Sequence, residues 1–193
     1  GMGNFPYVEI EGTPFEIGFQ HGELFKDKIL NSIQCYKEMF MDYSNLEWSR
    51  AKKLSTRFVE VIRDYNPDYL EEIRGVAEGS GLDFEDILAL NCRSELVFVG
   101  NELDKADGGC TSIGISSDAG AGGDAFLAHN WDWKTSQRES MIMMKITQKN
   151  GRPTIFMVTE AGIIGKTGFN SAGVGLYLNA LSTDQAPKGL PLH

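Results

Sequence analysis

The sequence predicts an α+β fold, with a helical first half and a β-rich second half whose sheet is covered on one face by the helices. Two observations carry this prediction. Up to about residue 100, apolar residues recur at helical spacing. Beyond Gly100, glycine becomes frequent and short runs of β-forming residues follow one another, separated by polar or glycine-containing turns. The composition, 41% hydrophobic and 23% charged over 193 residues, is that of a globular chain able to bury one sizeable core.

Residues 7–11 (Tyr-Val-Glu-Ile-Glu) alternate and read as a short strand. Gly12-Thr13-Pro14 then opens a long helix, with Thr13 as N-cap and Pro14 at the first helical position. Its stripe of Phe15, Ile17, Phe19, Leu24, Phe25, Ile29, Leu30 and Ile33 carries it to about Asp42. A second helix covers roughly 47–65 and stops before Asn66-Pro67, because a residue ahead of proline avoids the α region. A third spans about 67–78 and ends at Gly79-Ser80-Gly81. A fourth opens at the capping residue Asp83 and carries Ile87, Leu88, Leu90 and Leu96. The β-rich runs then fall at 111–116, 124–129, 140–148, 153–159 and 173–179 and read as an antiparallel set. The last residues, Pro187 to His193, read as a loop about to enter another element. The uncovered sheet face that this order implies points to a longer protein, or to a partner that completes the fold.

Charge and cysteine usage exclude several function classes. There are 27 acidic against 18 basic residues, a net charge of −9, and the Lys and Arg form no cluster of the kind that holds a phosphate backbone. Nucleic acid is therefore not an expected partner. No apolar run approaches the ~20 residues that span a bilayer, so no membrane association is expected either. Cys35, Cys92 and Cys110 are an odd count without a disulfide pattern, which favours a reducing, cytoplasmic location. A leader removed ahead of residue 2 would leave the same sequence. His21, His129 and His193 together with the cysteines show no zinc-ligand spacing, so neither metal nor cofactor is expected. The glycines of 161–175 lack the spacing of a phosphate loop.

Cys110 follows two glycines in Asp107-Gly108-Gly109-Cys110-Thr111-Ser112 and begins a run of small and β-branched residues. By position alone it reads as a small buried hydrophobe, the usual fate of a free cysteine. Residues 117–123 are a turn, and a hairpin symmetric about residue 120 sets position 110 opposite 130. Asn130 and Asp132 then share the face of Cys110, while His129 points away. Asp132 lies between Trp131 and Trp133. A carboxylate among apolar bulk needs a donor or cation nearby, although a turn Asp with flanking core aromatics reads as well. Were the chain cut before Cys110, the new α-amino group would lie beside the thiol. Its reference pKa of ~7.7–8.0 suits a general base at neutral pH, and Asp132 would orient it.

These residues resemble the N-terminal nucleophile (Ntn) hydrolases, and most closely the family of acyl-coenzyme A:6-aminopenicillanic acid acyltransferase, the C45 peptidase group. The matching segments occur in the family's order. They are Glu11-Gly12-Thr13-Pro14-Phe15-Glu16-Ile17-Gly18 with Gln20-His21-Gly22, then Asn91-Cys92-Arg93-Ser94-Glu95, Asp107 to Ser112 with one extra glycine, Asn130-Trp131-Asp132-Trp133, and Glu160 to Gly173 leading to Asn179-Ala180-Leu181. The resemblance implies an αββα sandwich, of which this chain holds the front part. It also implies a single domain over 1–193, with 1–109 a mainly helical pro or alpha segment and 110–193 the start of the beta segment. The processing bond is Gly109–Cys110, cut by the protein itself, and the freed Cys110 attacks a small-molecule amide or acyl thioester through an acyl-enzyme. Asp132 orients the amine, and the backbone around Asn179 binds the oxyanion by analogy with the related choloylglycine hydrolases. A second Asn and an Arg of the family's site lie beyond His193, so association with a missing C-terminal part, or with a second copy, is expected.

Other polar residues take supporting roles in this reading. Arg93 and Glu95 stand two apart near the end of the fourth helix, either as surface charge or as a buried pair behind the processing loop, and Glu160 is a turn residue or a further support. Cys35, Cys92 and Met141, Met143 and Met144 read as packing. Two other functions fit the same chain: a non-catalytic relative acting as a binding or assembly module, and a thiol hydrolase that uses His21 or His129 without processing.

Overall fold

The structure, a computed structural model, describes residues 5–106 and 136–164. It is α+β. Among the described residues, seven α-helices and a 3₁₀ turn pack with a three-stranded sheet ordered β1-β2-β3. β1 (Tyr7–Gly12) runs parallel to β2 (Met141–Gln148), and β2 pairs antiparallel with β3 (Ile155–Glu160). The antiparallel pairing expected of the β-rich runs holds for β2 and β3, and the parallel β1 makes the sheet mixed. The opening strand joins it from the far end of the chain, a long-range pairing that local patterning does not encode. The runs expected at 111–116, 124–129 and 173–179 lie outside the described residues.

α1 (Pro14–Leu24) starts as expected. The Thr13 hydroxyl accepts from Glu16 N at 3.2 Å and the Glu16 carboxylate accepts from Thr13 N at 2.9 Å, which completes a capping box. The expected single helix to Asp42 is instead two, joined at Phe25, with α2 running Lys26–Ser44. Backbone hydrogen bonds continue across the joint, from Phe25 N to His21 O and from Ile29 N to Phe25 O, so the chain bends without stopping. The bend lets α1 lie along α5 while α2 crosses toward β3 and α7. Asn45 closes α2 in the left-handed region (φ 49°), which Asn tolerates better than most side chains.

The helix expected over 47–65 is also divided, into α3 (Trp48–Ser55), a 3₁₀ turn at Thr56–Phe58 and α4 (Val59–Tyr65). At the division the Ser55 and Thr56 hydroxyls donate to the carbonyls of Lys52 and Lys53, competing with the helical pattern. α5 (Pro67–Ser80) is capped by Asn66 and closed by Gly81 at φ 77°, with Leu82 N bonded to Ala77 O and Gly81 N to Glu78 O in a Schellman arrangement. α6 (Phe84–Asn91) follows Asp83, whose carboxylate makes no cap hydrogen bond and pairs with Lys52 at 3.3 Å. The fourth helix bends at Cys92, so Arg93 and Glu95 open α7 (Arg93–Ala106) and do not close its predecessor.

α1 and α5 pack through glycine. A Cβ on Gly18 would lie 2.1 Å from Glu72 O, and one on Gly22 would lie 2.3 Å from Val76 O. From the other side, Gly75 meets Phe15 O at 2.2 Å and Gly79 meets Phe19 O at 2.1 Å. The pairing advances by four residues on both helices together, so they run parallel with backbones in contact. The core beneath joins α2, α5 and α6 to the inner face of the sheet, through residues such as Ile29, Tyr36, Phe40, Ile73, Leu88, Ile142 and Met144. Met144 is core as expected, while Met141 and Met143 are half-buried. Asn150 and Gly151 at the tip of the β2–β3 hairpin both have positive φ, as a primed hairpin turn requires.

Candidate functional site

Cys110, Gly109, Asn130, Asp132 and Asn179 lie outside the described residues, as does His129. What the structure places is the frame on either side of them. α7 carries the chain to residue 106, and it returns as a turn of helix at 136–138. That return is held on α2. Asn31 Nδ2 donates to Ser136 O at 2.9 Å and to Ser140 Oγ at 2.7 Å, and Lys28 Nζ donates to Glu139 O at 2.6 Å. Because α7 also packs against α2, the segment 107–135 leaves from and comes back to one helical layer.

Between these anchors lies a polar cluster. Gln137 Nε2 donates to the Tyr36 hydroxyl at 3.2 Å and to Glu160 Oε1 at 3.5 Å, and the Arg93 guanidinium stands 6.0 Å over the Tyr36 ring. Burial pushes the Glu160 carboxyl up, while the Arg93 charge and a hydrogen bond from Tyr36 act against it. Burial and then the charge of Glu160 drive the Tyr36 phenol far above its ordinary range. Glu160 is thus the last residue of β3, tied to α2 and the 136–138 turn, not a free turn residue. Arg93 and Glu95, by contrast, are not a pair. Glu95 is 1% exposed, and neither carboxylate oxygen has a hydrogen-bond partner among the described residues. Burial raises it to about 7 against a weaker pull from Arg93.

The two described cysteines are sealed. Burial, followed by the charges of Glu160, Glu38 and Glu139, pushes the Cys35 thiol up to about 11, and burial with Glu95 pushes Cys92 well up. Both stay protonated at neutral pH, consistent with their expected packing role. His21 is sealed as well. It is fully buried, its Nε2 accepts from Gly162 N at 2.9 Å, and burial lowers it to about 4.

His21 belongs to a second group that sequence reasoning missed. Asn91 Nδ2 donates to Gly162 O and its Oδ1 accepts from Ile164 N, both at 2.9 Å. Ser32 Oγ donates to Ala161 O at 2.7 Å. A signal was available: Ser32 interrupts the apolar stripe between Ile29 and Ile33, and His21 and Asn91 fall inside two of the segments that carry the family resemblance. The glycine seam had a signal too, the four-residue spacing of Gly18 and Gly22 and of Gly75 and Gly79.

The family model described as acyl-coenzyme A:6-aminopenicillanic acid acyl-transferase matches residues 119–193. Over 188 residues, 97% of the chain, it is 37% identical to the acyl-coenzyme A:6-aminopenicillanic-acid-acyltransferase 40 kDa form of Emericella nidulans, of which it covers 50%. It is 28% identical over 87 residues to the beta-alanyl-dopamine/carcinine hydrolase of Drosophila melanogaster, covering 45% of this chain and 22% of that protein. A protein of Archaeoglobus fulgidus matches at 24% identity over 92% of the chain and 33% of its own length. The chain thus spans half the length, or less, of these relatives. No described helix is long and apolar enough to cross a membrane. Taken together, the family model over residues 119–193 and the Emericella match over nearly the whole chain make it similar to the acyl-coenzyme A:6-aminopenicillanic acid acyl-transferases.

Proposed function

We propose that this chain carries the nucleophile portion of a self-processing cysteine Ntn enzyme, an amidohydrolase or acyltransferase acting on linear C–N bonds of small molecules. The observation that carries the reading is the 37% identity over 97% of the chain, a span that takes in the Cys110 and Asp132 segments. The sealed state of Cys35 and Cys92 supports it, since neither thiol is poised to attack. The hydrogen bonding of the returning 136–140 segment to α2, against which α7 also packs, supports it further, because a reacting group needs a rigid base.

In the processing step the Cys110 thiolate attacks the Gly109 carbonyl. The Gly109–Cys110 C–N bond breaks, and a thioester and a free Cys110 α-amine form. Water then cleaves the thioester to a Gly109 carboxylate and a free thiol. In turnover the α-amine, oriented by Asp132, takes the thiol proton, and the sulfur attacks the substrate carbonyl. The donors around Asn179 hold the resulting oxyanion, each worth ~10²–10³ in rate. The leaving amine or thiol departs with the proton, and the acyl group passes from sulfur to water or to an acceptor amine. An acyl-enzyme accounts for both outcomes that the relatives' names record, transfer in one and hydrolysis in the other. Asn130 is expected on the face of Cys110, and Arg93, Glu95 and Glu160 support the frame from α7 and β3. The second sheet of an αββα sandwich would cover the face opposite the helices, where Phe156 (68% exposed), Val158 and Tyr7 lie open.

Intact-mass analysis of the purified protein tests the reading. Two fragments divided before Cys110, with Cys110→Ala remaining whole, are expected. A wild-type chain that stays uncut on long incubation and takes no label from an acyl probe would favour a binding or assembly module. An uncut chain that is labelled, with labelling lost on histidine substitution, would favour direct thiol hydrolysis, and the sealed ring of His21 argues against that.

A further inference from the structure

Residues 161–164 leave β3 as irregular backbone, yet Ala161, Ile163 and Ile164 are buried. Irregular segments ordinarily stay at the surface, because their backbone polar groups need water. Here three helices supply the partners: Ser32 of α2 for Ala161 O, His21 of α1 for Gly162 N, and Asn91 of α6 for Gly162 O and Ile164 N. Ser140, just ahead of β2, supplies a fifth contact, since Ala161 N donates to its carbonyl at 2.8 Å. All three helix side chains are at most 5% exposed. Gly162 has φ +93°, and a Cβ there would stand 2.8 Å from Leu90 and 3.2 Å from Ile29, so the segment has little room to rearrange. Because Nε2 accepts, the ring is neutral with its proton on Nδ1. That Nδ1 has no partner among the described residues, an unfavourable burial that the arrangement tolerates.

We propose that His21, Ser32 and Asn91 are positioning residues: they clamp the point where the chain leaves β3 and so set the place of the glycine-rich run that leads to Asn179. This rests on the proposed function for the role of Asn179, but not for the clamp. The geometry favours it over simple core filling because four backbone groups within residues 161–164 are fixed from three separate helices at the mouth of one segment. The same polar side chains would be replaceable by apolar ones if burial were their purpose.

The test uses the full-length protein with His21→Ala, Asn91→Ala and His21→Gln, whose amide oxygen restores an acceptor. Hydrogen exchange followed by mass spectrometry should show about tenfold faster exchange in peptides covering 162–175, with the α5 and β2 peptides unchanged, and His21→Gln should reverse most of it. With p-nitrophenyl acetate as acyl donor, kcat should fall about ten- to hundredfold while KM stays within about twofold, since a misplaced group costs rate more than binding. Unchanged exchange at 162–175, or faster exchange spread evenly over the helices, overturns the clamp. A shift in KM with kcat intact overturns its link to Asn179. If the wild-type protein neither cleaves itself nor turns over the ester, the proposed function fails, and the exchange result alone decides the clamp.

Discussion

Two buried ionisable side chains give the protein opposed responses to pH. Burial lowers His21 to about 4 from 6.5. Below pH 6.5 the unfolded chain therefore takes up a proton that the folded chain refuses, and stability falls on acidification toward 4, by on the order of 3 kcal/mol. Burial raises Glu95 to about 7 from 4.5. Its carboxyl stays protonated in the folded chain where the unfolded one has ionised, so stability falls as pH rises from 4.5 to 7, again by on the order of 3 kcal/mol. Between 4.5 and 6.5 the slopes of these two groups oppose one another and their contributions nearly cancel. His21→Gln should lose stability as pH rises through this window, and Glu95→Gln should gain it. Urea midpoints across the window check both, and parallel curves for the two variants would refute the assignment. Glu95→Gln should also stabilise the protein above pH 7, because it removes an unpaired buried charge.

At the scale of elements, the seam between α1 and α5 makes the sharpest prediction. Gly75→Ala would place a methyl 2.2 Å from Phe15 O and 2.8 Å from Phe19 N, backbone atoms that cannot turn aside. A loss of about 3 kcal/mol or more is expected, as in an overpacked core. Gly81→Ala has open space around it and pays only for φ +77°, about 1 kcal/mol. Comparing the two melting temperatures separates packing from strain. The sequence made the helix starts legible, because caps are local: Thr13 with Glu16, and Asn66 with Pro67, act within three residues. The bends at Phe25, Thr56 and Cys92 were not legible, since the apolar stripe continues through them. They exist because successive turns face different neighbours. The same displacement moved Arg93 and Glu95 from the end of one helix to the start of another, and so changed what their spacing implied.

For the whole molecule, the helices pack on one face of the sheet and leave the other with exposed apolar side chains among charged ones. Tyr7, Met143 and Val158 form one register row across that face, beside Phe156. If a second sheet packs there in the full-length protein, Val158→Asp should cost about 2–4 kcal/mol, whereas an open surface position would change by about 0.5 or less. Chemical denaturation of the full-length variant checks this, and a change within the surface range would remove support for the sandwich.

What the sequence determined by itself was the division into a helical front and a β-rich continuation, the cap that begins α1, the packing roles of Cys35 and Cys92, and the resemblance that the matched relatives bear out. Each of these is written in neighbouring residues or in motif order. Only the tertiary structure decided that β1 pairs in parallel with a strand more than a hundred residues away, that Glu95 is buried without Arg93 as its partner, and that His21, Ser32 and Asn91 converge on one turn. Those facts depend on which faces meet across the chain. Periodicity marks a face as apolar or polar, but the partner it meets is set by how all the faces are buried together.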